Sequence, residues 1–202
     1  ESYSIQTVFT NHDYEPYAQE RDKAIADLLA HAGVAFETYK DQVIFEKEEV
    51  TKDDGKPYTV FTPYSKKWKA KLTPDYLKPY LTEQYFDAFY KQAPNEIPSL
   101  ASMNFKEVEM VFPSKQLNEE IVRKYSQNRD FPALENGTSK MGVHLRFGKV
   151  SIRSLAIIAA GLNETYLNEL IWRVFYQMLL WHFPKVGKGH AFKSEYEKII
   201  LL

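Results

Sequence analysis

The longest amphipathic pattern in the chain runs through NETYLNELIWRVFYQMLLWHFP, residues 163–184. It predicts one helix with Asn163 as its N-cap and Pro184 as its terminator. At about 100° per residue, apolar side chains share one face: Leu167, Leu170, Ile171, Val174 and Met178. The other face carries a carboxylate, a guanidinium and two aromatic rings: Glu169, Trp172, Arg173 and Tyr176. This face suits a flat, polar ligand; the alternative is a solvated Glu169–Arg173 pair beside a tryptophan packed at the rim of the core.

Two strands and a helix are predicted at the start of the chain. Ile5–Asn11 has the composition of a buried strand, and Glu20–Val34 has apolar residues at helical spacing with Gly33 placed to end the helix. Residues 35–46 read as a strand or as strand–turn–strand. Strand, helix and strand in this order indicate one unit of an α/β fold with parallel strands.

The remainder divides into a linker and a helical region. Residues 49–106 hold most of the prolines, with short helices predicted at Tyr64–Leu72 and Thr82–Gln92. From Ser114, a candidate N-cap, the pattern is helical, and residues 150–161 predict a small-residue helix. We therefore predict a partial Rossmann-like α/β domain over 1–48, an interdomain linker over 49–106 and the first part of an all-α domain over 107–202.

Composition narrows the classes of function. The chain has no cysteine, and its five histidines are scattered, so no metal site is predicted. No apolar run is long enough for a membrane span, and a cytoplasmic location is expected. Residues 107–202 hold 13 basic against 10 acidic side chains, a net +3 within a chain of net −1. This asymmetry is compatible with a phosphate-bearing partner.

The densest cluster of candidate binding residues is RDFPALENGTSKMGVHLRFGKVSIR, residues 129–153. Gly137, Thr138 and Ser139 place two hydroxyls and a flexible residue just before a predicted helix, an arrangement that can hold a phosphate. From spacing alone, a helix cap without a ligand is the favoured interpretation of the same residues. Without a resemblance to consider, a tyrosine such as Tyr125 is more often a core-packing residue than a ligand contact.

Four stretches, in this order, resemble the DNA photolyase/cryptochrome family. They are YEPYAQERD, KPYTVFTPYSKKW, YSQNRDFPALENGTSKMGVHLRFGKVSIR and NELIWRVFY. The third is similar to the family pattern Y-x-x-x-R-(D/N)-x-P-x-x-x-G-T-S-x-L-S-P-x-L-x-F-G, and the fourth to E-L-x-W-R-E-F-Y. The resemblance covers nearly the whole chain and identifies the first region as the family's α/β antenna domain and the last as its helical FAD-binding domain.

The resemblance implies light-driven, FAD-dependent repair of cyclobutane pyrimidine dimers in DNA, by electron transfer to a flipped-out lesion. It implies contacts with FAD from six residues: Tyr125, Thr138, Ser139, Lys140, Met141 and Gly142. It also implies a face toward the lesion or DNA, with Glu169 and Trp172 as the catalytic pair: Arg129, Glu169, Trp172, Arg173 and Tyr176. A flipped base needs an aromatic wall, which Trp172 would supply.

Several positions depart from the family pattern. Gly142 and Val143 replace a phosphate-binding serine and a proline, and Val174 replaces a carboxylate expected near the pocket. Tyr17 and Ala18 stand where folate-binding members carry Asn and Glu, so a folate antenna is not expected. Leu201 falls where the last tryptophan of the family's photoreduction chain is expected.

The alternatives are a cryptochrome-type flavin receptor, a non-catalytic interaction module descended from the family, and a photolyase for the (6-4) lesion. The chain corresponds to the middle of a typical member. We therefore expect it to be inactive alone, and we expect any oligomer to be an artefact of truncation.

Overall fold

The computed structural model describes residues 3–131 and 133–198. Two strands, β1 (Thr7–Asn11) and β2 (Ala35–Tyr39), pair in parallel with Thr7 opposite Ala35. Helix α1 (Pro16–His31) connects them and packs on β2. The predicted parallel unit is confirmed. The prediction that the first strand is buried is wrong, because the described part of the sheet has only two strands and leaves Phe9 66% exposed.

Helix α1 begins earlier than predicted and turns its apolar stripe outward. Pro16 opens it at a position where the fixed φ of proline suits a first helical turn. Gly33 follows its end with φ of 71°, as predicted. Leu28 is nevertheless 70% exposed, and Ala18 is the buried residue of the helix. Periodicity identified the helix but not the element that would cover it.

Residues 40–50 form an irregular loop that enters the helical core. Of the two alternatives for residues 35–46, the single strand is observed and strand–turn–strand is not, yet Val43, Ile44 and Phe45 are almost completely buried. Phe45 packs edge-to-face on Trp68, with ring centroids 5.4 Å apart. This apolar run therefore joins the α/β part to the helices by packing rather than by strand pairing.

The segment predicted as a linker has two different parts. Helix α2 (Phe61–Lys71) packs on the long helix described below, and Tyr64 and Trp68 of α2 are buried. Short 3-10 helices follow at Pro74–Leu77, Thr82–Ala88 and Ala101–Met103. Residues 78–112 are exposed throughout. The predicted division of the chain into domains stays a prediction, but α2 belongs to the helical core.

The helical region begins later than predicted. Helix α3 (Glu119–Arg123) has Asn118 as its N-cap, whose side chain accepts a hydrogen bond from the Glu120 backbone N–H at 3.0 Å. The prediction of Ser114 is wrong: its hydroxyl accepts from the Gln116 backbone N–H in a local turn. Two short helices follow, α4 (Tyr125–Asn128) and α5 (Gly142–Arg146).

The two long helices match the predictions closely. Helix α6 (Ile152–Leu162) is capped by Ser151. Helix α7 (Glu164–His182) is capped by Asn163, which accepts from the Tyr166 backbone N–H at 3.2 Å, and it ends before Pro184, where the short α8 (Pro184–Gly187) begins. A last 3-10 helix spans Ser194–Lys198. The five apolar residues predicted for one face of α7 are all buried. Leu201 lies outside the described residues.

The structure changes the interpretation of Val174, one of the departures from the family pattern. Val174 is 2% exposed and lies within the apolar face of α7, between Ile171 and Met178. A carboxylate at that position would be buried in the core. Val174 therefore does not remove a charge from the polar face of α7, contrary to the expectation from sequence. Among the described residues, no helix has the length and apolarity needed to span a membrane.

Candidate functional site

A cavity of about 300 Å³ lies between the Gly137–Gly142 loop and the first half of α7. This volume is at the lower end of the range for small-molecule sites. All six residues predicted to contact a cofactor line it: Tyr125, Thr138, Ser139, Lys140, Met141 and Gly142. The remaining lining residues are Leu145, Tyr166, Glu169, Leu170 and Arg173. The structure therefore brings the loop motif and two residues of the polar face of α7 to one place.

The loop is held in shape by a close backbone approach at Gly137. A Cβ at this position would lie 3.0 Å from the Phe131 carbonyl oxygen and 3.1 Å from the Leu134 carbonyl oxygen. Lys140, two residues before α5, adopts a left-handed φ of 53°. Only a residue without a side chain fits at Gly137 without moving backbone. The hydroxyls of Thr138 and Ser139 are thereby presented just before a helix, as predicted.

Ser139 is oriented by a residue that sequence reasoning missed. The Tyr166 hydroxyl, on the first turn of α7, donates to Ser139 Oγ at 2.8 Å. The Met141 backbone N–H makes a longer contact with the same oxygen, at 3.5 Å. A hydroxyl has two acceptor positions and one proton, so these contacts leave the Ser139 proton to donate to a ligand. Burial raises the pKa of Tyr166, opposed by its hydrogen bond to Ser139. A signal for Tyr166 existed: it lies three residues before Glu169 on the same helix.

Tyr125 forms one wall of the cavity. Its ring meets the Tyr166 ring edge-to-face, with centroids 5.1 Å apart. Burial raises the pKa of Tyr125, and the charge of Glu169 raises it further, while Arg129 acts in the opposite direction. Tyr125 packs against the hydrophobic core and also lines the cavity, so its contact with a cofactor stays a prediction.

Arg129 and Glu169 form an ion pair at this site although they lie 40 residues apart in the chain. Arg129 Nη1 is 2.5 Å from Glu169 Oε1, and the two side chains are 37% and 33% exposed. The guanidinium also lies 5.7 Å from the centre of the Tyr125 ring. Glu169 lines the cavity whereas Arg129 does not. The arginine therefore covers the outer side of the carboxylate.

Trp172 lies outside the cavity lining, in an aromatic cluster. Its ring stacks on Phe61 of α2, with centroids 3.7 Å apart and planes 6° from parallel. Tyr176, one turn further along α7 and 57% exposed, lies 5.4 Å from Trp172 at 24° between planes. Trp172 and Tyr176 therefore belong to one aromatic cluster, and their role as a wall for a flipped base stays a prediction. The contact between Trp172 and Phe61 agrees with the alternative in which Trp172 packs at the rim of the core.

Arg173 is directed toward the α/β part of the chain. Its Nη1 donates to the Gln42 carbonyl oxygen at 2.6 Å, and its Nη2 donates to Gln42 Oε1 at 2.9 Å. Burial lowers the pKa of Arg173. The alternative of an exposed Glu169–Arg173 pair is not observed, because Glu169 pairs with Arg129 and Arg173 binds the loop after β2. The Arg173 guanidinium therefore connects the α/β part of the chain to the helical part, and the Arg173 side chain also lines the cavity.

The chemistry of the cavity is that of an anion site next to a hydrogen-bonding site. Hydroxyls and the Lys140 ammonium at one side can donate to phosphate oxygens. The Glu169 carboxylate at the other side can accept from amide or imide N–H groups. Among residues 3–131 and 133–198, no group of three or more His, Asp or Glu side chains could hold a metal ion.

A family model, curated relatives and solved structures were compared with this chain, and all of the matches described below are DNA photolyases. The family model for DNA photolyase matches residues 1–83. A deoxyribodipyrimidine photo-lyase of Alkalihalophilus pseudofirmus is 31% identical over 89% of this chain and 41% of its own length. One from Synechococcus sp. is 29% identical over 91% of this chain and 43% of its own length. The chain thus spans less than half the length of these relatives.

Two solved structures share the fold. A bacterial class III photolyase from Agrobacterium tumefaciens superposes with a TM-score of 0.71, covering 98% of this chain and 45% of that one at 21% identity. An archaeal photolyase from Sulfolobus tokodaii with two FAD molecules gives a TM-score of 0.64, covering 98% of this chain and 43% of that one, also at 21% identity. A small parallel sheet followed by helices is therefore a partial α/β domain joined to a helical part, as predicted. The chain belongs to the DNA photolyase family.

Proposed function

We propose that this chain contributes part of the flavin site and part of the lesion-facing surface of a deoxyribodipyrimidine photolyase. The observation that carries the proposal is the cavity in which Tyr125, the loop at 138–142 and Glu169 meet. Its size suits part of a dinucleotide, and its hydroxyls suit phosphate. The cavity residues would hold FAD, and the chemistry that reduced FAD would supply is a light-driven electron that splits a cyclobutane pyrimidine dimer and then returns to the flavin.

The chain's own residues have separate tasks in this proposal. Thr138 and Ser139 donate hydrogen bonds to the FAD phosphates, and Lys140 neutralises their charge. Glu169 accepts hydrogen bonds from the flipped-out pyrimidines, and Trp172 with Tyr176 offers the aromatic surface that replaces lost base stacking. Arg129 contacts the DNA backbone. Arg173, which binds Gln42, is assigned to holding the two parts of the chain together rather than to DNA.

A cryptochrome-type receptor is not favoured by a specific observation. The residue that pointed toward it, Val174, is buried in the core. An interaction module without flavin remains the contrasting hypothesis. Tyr17 is exposed and Ala18 is buried, and neither supplies a carboxylate or an amide, so the proposal includes no folate antenna. Because the chain spans less than half of its relatives, we expect no dimer splitting by this chain alone.

FAD titration of the purified chain, followed by flavin fluorescence, tests the proposal. We expect saturable binding that Ser139→Ala weakens about tenfold, through loss of a hydrogen bond to a charged group. Ser102→Ala, in the exposed segment at 78–112, is the matched control and should bind like the unaltered chain. Absence of saturable binding would contradict the assignment of part of the flavin site to this chain. Equal affinity for dimer-containing and undamaged oligonucleotides would contradict the assignment of a lesion-facing surface.

A further inference from the structure

Arg129 and Glu169 form an ion pair with each other in the structure, although the proposed function gives them different ligands. The guanidinium uses Nη1 for Glu169 at 2.5 Å. Its Nε lies 3.6 Å from Asp130 Oδ1, a contact between charges beyond hydrogen-bond length. Arginine has five N–H donors, so most of them are directed elsewhere. With 37% of its side chain exposed, Arg129 is accessible to a ligand from solvent.

We propose that Arg129 is a positioning residue that exchanges partners when nucleic acid binds. In the free chain it holds Glu169; when a backbone phosphodiester arrives, the guanidinium transfers to the phosphate, which it can bind through two parallel N–H bonds. Glu169 is then released toward the cavity that it already lines. This inference rests on the proposed function, because it requires nucleic acid at this face.

The exchange of partners makes Glu169 affect the affinity for undamaged nucleic acid in the opposite direction to a residue that contacts it directly. Glu169 competes with phosphate for Arg129, so the free chain must break the ion pair before it binds a backbone. Glu169 therefore weakens binding to undamaged nucleic acid, which offers the carboxylate nothing in return. A flipped-out base would compensate by donating a hydrogen bond to the released carboxylate. The pair thus favours lesions over ordinary strands by penalising the latter.

The experiment measures binding of a fluorescein-labelled, undamaged oligothymidylate by fluorescence anisotropy at low salt. The variants are Glu169→Gln, Arg129→Gln and the double variant. A partly exposed ion pair is worth a factor of about two to five in an equilibrium, so we expect Glu169→Gln to bind about twofold to fivefold tighter. Arg129→Gln should bind more weakly and with a shallower salt dependence.

The controls separate partner exchange from a change in net charge. In the Arg129→Gln background, Glu169→Gln should tighten binding by clearly less, since no guanidinium remains to be released. Asp130→Asn removes one negative charge beside the same arginine, from a side chain that is 82% exposed. It should tighten binding less than Glu169→Gln does. Arg129→Lys should retain part of the affinity, and circular dichroism verifies that each variant is folded.

The outcomes distinguish this inference from the proposed function. If the unaltered chain binds the oligonucleotide and Glu169→Gln binds no tighter than Asp130→Asn, the exchange is overturned while the DNA-facing surface stands. If Glu169→Gln tightens binding equally with and without Arg129, the effect is one of net charge and the exchange is again overturned. If neither the unaltered chain nor Glu169→Gln binds, both proposals fail for DNA, and the flavin titration remains an independent test.

Discussion

The rings of Trp172 and Phe61 are stacked with their centroids 3.7 Å apart. The helix proposed to face the lesion is therefore tied to α2 through the same side chain that is proposed to contact the base. Trp172→Ala should lower the free energy of unfolding by about 2 kcal/mol, since Phe61 loses its stacking partner and a half-buried ring is removed. Trp172→Phe keeps an aromatic ring against Phe61 and should cost less than about 1 kcal/mol. Urea denaturation measures both.

To separate the binding role of Trp172 from its packing role, a control variant must lose the same stacked pair and keep the tryptophan. Trp172→Ala should weaken binding to a dimer-containing oligonucleotide by about 1–3 kcal/mol through lost base stacking. Phe61→Leu removes the same stacked pair but leaves the tryptophan ring, and should change lesion affinity little. Unchanged affinity in Trp172→Ala would remove Trp172 from the lesion-facing surface.

The two candidate N-caps provide a direct comparison of equivalent substitutions. Asn163→Ala removes an oxygen that accepts from the Tyr166 backbone N–H and should cost about 1 kcal/mol of unfolding free energy. Ser114→Ala affects a local turn outside any helix and should change stability by no more than about 0.5 kcal/mol. A larger loss in Ser114→Ala would mean that the predicted helix start is used after all.

Arg173→Ala should destabilise the junction between the α/β and helical parts. It removes two hydrogen bonds to Gln42 from a charged donor, each of a kind worth about 1.5–3 kcal/mol. Arg123→Ala is the matched control, since its pair with Glu119 is exposed and worth less than about 0.5 kcal/mol. Thermal unfolding of both variants makes the comparison. Equal effects would mean that Gln42 is not held by Arg173 in solution.

Ser139 and Tyr166 should behave as a coupled pair even without a ligand. Ser139→Ala leaves the Tyr166 hydroxyl, whose residue is 4% exposed, without its acceptor, at a cost of about 1–3 kcal/mol. Tyr166→Phe removes the donor instead and should cost about 1 kcal/mol. The double variant should lose less than the sum of the two, as a double-mutant cycle in urea can measure. Additive losses would show that the hydroxyls do not interact.

Stability should fall in acid through Glu46. Burial raises the pKa of Glu46. Hydrogen bonds from Tyr14 and His12 and the charge of Lys47 lower it by more than burial raises it, so the net shift of the pKa is downward from 4.5. A lowered folded-state pKa means that the stabilisation is present above the unfolded value and disappears as pH falls through the folded one. We expect Glu46→Gln to be less stable near neutral pH and to lose less stability between about pH 5 and pH 3. Parallel curves for the two chains across that range would contradict this.

The local features of the fold followed from local chemistry. Asn163 and Pro184 bounded α7, Gly33 followed the end of α1, and the apolar stripe from Leu167 to Met178 was buried as its spacing predicted. Caps, breakers and periodicity act within a few residues, so they can be read without knowledge of the partner. Family motifs added the residues of the loop at 138–142, all of which line one cavity.

The partners of the polar face of α7 were decided only by tertiary structure. Its spacing placed Glu169, Trp172, Arg173 and Tyr176 together, but Glu169 pairs with Arg129, Trp172 stacks on Phe61 and Arg173 binds Gln42. These partners lie 40 to 131 residues away in the chain. A helix specifies the direction of each side chain through its own backbone hydrogen bonds. The group that each side chain meets depends on how distant elements pack, because α2 and the loop after β2 bring their own buried residues to the core that they share with α7.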